Sequence, residues 1–171
     1  MVRLLAFIGF LGILVAVLAA VYFFGGFYSV AATAEEPGFV NKLLIQVRKA
    51  SIARHAKDVP ARPPEDAETV RAGARSYAML GCVNCHGEPP GADWQKWSEG
   101  MNPDPPGLKE VGDERQPNEL FWVIQNGIKM TGMPSFGKTG VSDDEIWKIV
   151  AFVKRFGTVS PADYKAWTAT P

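Results

Sequence analysis

One pentapeptide constrains this chain more than any other feature: Cys82-Val83-Asn84-Cys85-His86, followed by Gly87. Its cysteines are the only two in the 171 residues, so any thiol chemistry must use this pair. A thioredoxin-like dithiol has the same spacing but belongs in a βαβ unit, and the pattern around this one is helical. A zinc site takes about four ligands. Here those would be both cysteines with His55 and His86, the only two histidines, and Cys85 and His86 are neighbours that project differently from a helix. A disulfide across so short a gap is strained. Cys-x-x-Cys-His is, by contrast, the attachment signature of a c-type haem. One helical turn lets each thiol reach a porphyrin vinyl group, and the histidine that follows aims a ring nitrogen at the iron.

The N-terminus carries the second strong signal. Leu4 to Val30 is a run of 27 residues without a charge, about 40 Å long as a helix and enough to cross a hydrocarbon core of about 30 Å with tilt. Ala32-Thr33-Ala34 looks like a signal-cleavage site. The apolar core of a cleaved signal is only about 7–15 residues, however, so an uncleaved signal anchor over residues 1–34 is expected. Gly12, Ala16 and Ala20 line one face of the span, a small-residue stripe that would suit a transmembrane partner subunit.

Formal net charge is zero, and no nucleic-acid partner is expected. The evenness hides an asymmetry. Residues 35–64 hold six Lys/Arg against three acids, and residues 65–171 hold eleven against fifteen. The basic stretch predicts an amphipathic helix over about 39–57, with Phe39, Val40, Leu43, Leu44 and Val47 on one arc and Lys42, Arg48 and Lys49 largely opposite. Ile45 and Ile52 form a second apolar ridge. Such a helix suits an anionic lipid surface, or packs between membrane and partner. His55 is expected to be a solvated surface group. Val59 to Pro64 reads as a semi-rigid linker.

From Glu65 a helix runs towards the pentapeptide with Val70, Gly73, Ala74 and Tyr77 at helical spacing, and Gly81 breaks it. Pro117 opens another helix, through Leu120, Phe121, Val123 and Ile124 to Gly127. A last one starts at Ser142, with Glu145 completing a capping box, and runs to about Phe156. Residues 65–157 are thus the expected core domain and 158–171 a C-terminal tail.

Over roughly residues 67–156 the chain resembles the class I, monohaem c-type cytochromes, in a membrane-anchored bacterial form. The resemblance rests on Cys82 to Gly87, on Asn126 to Gly137 (N-G-I-K-M-T-G-M-P-S-F-G) and on the helix starting near Ser142. It implies an all-α cytochrome c fold, three to five helices around one covalently attached haem c, preceded by the span and the amphipathic helix. It implies that the first and last helices of the domain cross at Gly73 and Tyr77, with Trp147 and Ala151 as partners. It implies too that the proline-rich loop Met101 to Leu108 offers the proximal histidine a backbone carbonyl, from Pro105 or Pro106, which fixes its tautomer. Trp94 and Trp97 are expected to line the pocket. Since haem is added outside the cytoplasm, the resemblance places the N-terminus inside and the haem domain in the periplasm, at the bacterial inner membrane. Arg3 and the basic stretch alone leave that orientation open.

His/Met ligation raises the potential of a haem iron. Of the five methionines, Met130 and Met133 lie where the family's ligand loop belongs. Proline at 134 holds Met133 extended, and Met133-Pro134-Ser135-Phe136 matches the family's Met-Pro-x-Phe, which implies Met133 as ligand with Met130 packing nearby. The expected binding set is Cys82, Cys85, His86 and Met133, with His86 and Met133 on the metal. The expected function is that of a membrane-anchored electron carrier rather than an enzyme. Its redox partners would be a quinol–cytochrome c reductase, a dehydrogenase or a terminal oxidase. Two alternatives are a fixed subunit of a larger respiratory or dehydrogenase complex, and a haem enzyme or gas sensor with an open iron site.

Overall fold

A computed structural model of the chain describes residues 1–35, 37–59, 66–91 and 96–169. Those residues are helical throughout, joined by loops and single 3-10 turns. Two units separate, residues 1–35 and 36–171. The first is essentially one helix, α1 (Val2–Phe24), with no buried residue. Its 23 residues make it long and apolar enough to cross a membrane.

The second unit begins with α2 (Gly38–His55). The core domain that follows contains α3 (Ala67–Met79), α4 (Cys82–His86), α5 (Leu108–Glu114), α6 (Pro117–Asn126), α7 (Asp143–Val153) and α8 (Pro161–Thr168). Of the expected linker 59–64 only Val59 is among the described residues, and Trp94 lies outside them.

The core is organised by the crossing of α3 and α7. Asp66 caps α3, its carboxylate accepting from the amides of Glu68 and Thr69 at 3.1 and 3.0 Å. Gly73 lies so tightly on α7 that an added β-carbon would collide with the Lys148 carbonyl and press on Phe152 at 3.0 Å. Tyr77 packs its ring on Phe152 (5.2 Å), Phe156 (5.9 Å) and Tyr164 (6.5 Å). The crossing thus uses the expected Gly73 and Tyr77, but their partners on α7 are Lys148 and Phe152. The expected Trp147 turns instead to α6 and stacks on Phe121 at 4.5 Å. A step of one residue rotates a helical position by about 100°, enough to change which neighbour it meets.

Two further local expectations are revised. Ser142 caps α7 through the Glu145 amide, but the Glu145 carboxylate does not turn back to close the box. It accepts from Ser76 on α3 and pairs with Lys148, joining the two crossed helices. The segment 158–171, expected to be a tail, contains α8. Ser160 caps it, and its Tyr164 is among the largest fully buried side chains of the core.

The inner side of α2 also belongs to this unit. Ile52 and Ala56 are buried, the Ala56 carbonyl accepts from Asn118 Nδ2 at 2.7 Å, and the His55 ring lies 5.7 Å from that of Trp122. The second ridge read from Ile45 and Ile52 therefore packs in part on the core domain itself, at α6.

Candidate functional site

The two cysteines and His86 share the five-residue helix α4, flanked by Gly81 (φ 78°) and Gly87 (φ 74°). One turn brings Cys82, Cys85 and His86 to neighbouring positions, and Cys82 packs against the core cluster. The turn is held from both sides. Tyr77 Oη donates to the Gly87 carbonyl at 2.7 Å, tying the end of α4 to the crossing of α3 and α7. On the other side His86 Nδ1 donates to the Pro106 carbonyl at 3.1 Å. Of the two prolines left open by the sequence, Pro106 makes the contact. A carbonyl can only accept, so Nδ1 carries the proton and Nε2 keeps its lone pair.

The electrostatics of this corner are those of a dry site. Burial, followed by the neighbouring Cys85, pushes the Cys82 thiol up to about 12. Burial also holds the His86 imidazole below its ordinary value, with the bond to Pro106 acting in the opposite direction. Burial first, then the Cys82 charge, pushes the Tyr77 phenol well up. Each group is favoured in its neutral form.

Met133 sits on a loop with no helix of its own. The loop is stitched to α6 and to itself: Phe136 N donates to Ile124 O (3.1 Å), Gly137 N to Gln125 O (3.0 Å) and Ile128 N to Met133 O (3.2 Å). Thr131 Oγ1 accepts from Met133 N at 3.1 Å, and Ser135 Oγ donates to Gln125 O at 2.7 Å. Gly127 makes the sharp entry possible. Its φ is +68°, and a β-carbon there would come within 2.7 Å of Pro134 C and Ser135 N. Met133 is half-buried and packs against the core cluster, as does Phe136.

The other methionines separate cleanly. Met130 has positive φ (60°) and is 95% exposed, so the expectation that it packs beside Met133 is corrected. Met79 is exposed as well. Met101, from the proline-rich loop, lies directly over Gly132, so close that a β-carbon at 132 would collide with its methyl group. The loop that holds His86 and the loop that carries Met133 therefore touch through Met101. Sequence spacing offers no sign of this, because the contact joins two irregular segments. Trp97, expected in the pocket, is 58% exposed. His55 donates to the Ser51 carbonyl (2.8 Å) and lies against Trp122. Among the described residues no cluster of three or more His, Cys, Asp or Glu forms a separate metal site.

The model of the family described as cytochrome C oxidase, cbb3-type, subunit III matches residues 68–153. The chain belongs to this family. Its matched segment begins inside α3 and ends on the last residue of α7, so it takes in α4, the proline-rich loop and the Met133 loop and leaves out α2 and α8. No curated protein and no solved structure matches the chain. A cytochrome c domain of this kind carries covalently bound haem c and serves electron transfer. The two thiols and the imidazole that share the α4 turn fit that group.

Proposed function

We propose that this cytochrome is a membrane-anchored carrier of single electrons on the periplasmic side of a bacterial inner membrane, with its N-terminus in the cytoplasm. Cys82 and Cys85 form the thioethers, and His86 and Met133 are the axial ligands. The observation that carries the reading is the His86 Nδ1–Pro106 bond. It fixes the tautomer with Nε2 free to ligate and raises the basicity of the ring. Bound haem c supplies a one-electron change at iron. The chain's residues do the rest. Tyr77 and Pro106 hold the α4 turn, the hydrogen-bonded loop 127–137 presents the Met133 sulfur, and the buried core lowers the local dielectric around both.

Spectra of Met133→Ala and Met101→Leu beside the parent, oxidised and reduced, test the ligand set. Met133→Ala should lose the weak far-red sulfur-to-iron band and acquire carbon monoxide binding, while Met101→Leu keeps the band. The reverse pattern would assign the ligand to Met101, which the structure brings to Gly132. Loss in neither would reopen the alternative of a haem enzyme or gas sensor.

A second reading follows from the family's description as an oxidase subunit: the chain would be a fixed part of a larger respiratory complex. Native mass in mild detergent separates the two, since a free carrier migrates at the mass of its own chain and haem.

A further inference from the structure

Helix α2 has two faces, and the core domain occupies only one. Towards α6 it buries Ile52, and Ala56, the residue just past its end, is buried with its carbonyl bonded to Asn118. On the other side Phe39 is 74%, Leu43 60%, Leu44 57% and Val47 58% exposed. Phe39, Leu43 and Val47 are spaced four apart and form one stripe, with Leu44 beside it. At about 100° per residue, Lys42 and Lys49 fall on one seam between the outer and inner faces and Arg48 on the other, all three largely opposite the stripe. From Pro37 to Lys57 the chain has five Lys/Arg and no acid.

We infer that this outer face lies on an anionic phospholipid surface, so that α2 lays the haem domain down on the membrane instead of letting it swing. The inference rests on the reading of α1 as a membrane span. Charge selects the occupant. A second copy of α2 on the stripe would join two helices of net positive charge with no acid on either to pair with the cations. Anionic headgroups pair with them while the apolar stripe enters the acyl boundary. Reach is also sufficient: Gly38 follows Phe24 by fourteen residues, at most about 50 Å of extended chain. Because the chain is bonded to α6 at Ala56, directly after α2, lipid contact on the outer face fixes one orientation of the haem domain.

The test uses the full-length holoprotein in nanodiscs of mixed anionic and zwitterionic lipid. A nitroxide is placed at Leu43→Cys, at Val47→Cys, or at Lys138→Cys on the exposed surface of the core domain. Collision with a water-soluble nickel chelate should be about fivefold lower at 43 and 47 than at 138. The protection should shrink in purely zwitterionic discs and in the Lys42→Gln/Lys49→Gln variant. Equal accessibility at 43, 47 and 138 in anionic discs, with the chain incorporated and its haem spectrum intact, would overturn the inference and leave the anchor reading standing. Protection that arises only on adding a membrane protein complex, or dipolar broadening between labels, would overturn it in favour of a protein partner or a second copy. A chain that does not enter the discs at all would overturn the anchor reading, and this inference with it.

Discussion

The two halves of the proposed site, around His86 and around Met133, are built on opposite plans. On the first, three chemically active residues share one turn, and that turn is pinned at its end by Tyr77 and at its ring by Pro106. On the second, one methionine depends on a loop whose shape comes from many weak bonds to α6 and from a glycine with positive φ. Function concentrated in a contiguous turn is hard to move without destroying it. Function presented by a stitched loop can be shifted by changes that touch no ligand, which makes the Met133 side the adjustable half.

The most severe way to break this contrast is to remove what both sides share. Gly73→Val drives a side chain into the Lys148 carbonyl. It should cost about 3 kcal/mol or more, lowering the thermal midpoint and weakening both sides together. Gly127→Ala should act on one side only. A β-carbon 2.7 Å from the Pro134–Ser135 peptide at φ +68° should cost about 2 kcal/mol and displace the Met133 loop. Its signature would be a diminished far-red band with the α4 region unchanged; loss of haem attachment instead would show that the two sides are not separable.

Two tyrosines sharpen the comparison from the other side. Tyr77→Phe leaves the buried Gly87 carbonyl without its donor and should destabilise by about 1–2 kcal/mol. Tyr164 has a buried hydroxyl with no hydrogen-bond partner among the described residues, so Tyr164→Phe should be neutral or stabilising by up to about 1 kcal/mol. Denaturant midpoints moving in the same direction for both would contradict this assignment of the hydroxyls.

The smallest effect concerns acid. The amides and hydroxyl of the first turn, Thr69 foremost, hold the Asp66 carboxyl below its ordinary value of 3.8. A depressed folded value means a contribution present above 3.8 and lost as pH falls through the lower folded value. Asp66→Asn keeps a cap but should flatten the fall in stability at the acid end of a pH series. An unchanged slope would show that this carboxylate does not drive it.

What was legible in the sequence follows the same divide. The Cys82–His86 turn, the helices around Val70 to Tyr77 and Leu120 to Ile124, and the break at Gly81 are contiguous or periodic patterns, and each is found where the spacing puts it. Helix α5 carries no such signal, because its seven residues are too few for a period to show. The role of Glu145 is not legible locally, because a capping box is a local rule and a hydroxyl on another helix competes for the carboxylate. Trp147 and Trp97 show the same limit: a residue's type predicts burial, and only the third dimension says against what. Met101 over Gly132 lies furthest from reach, a meeting of two loops with no repeat in either.

The contact between Gly73 and Lys148 joins positions 75 residues apart in the chain. Between them lie Cys82, Cys85, His86 and Met133, so the whole proposed donor set is carried by one loop that the crossing of α3 and α7 closes. The entropy of closing such a loop grows only with the logarithm of its length. Insertions into the surface turns between α4 and α6, or between the Met133 loop and α7, should therefore weigh little on the closed state. Divergence among relatives in this architecture has room to proceed by lengthening the loop while the crossing stays fixed.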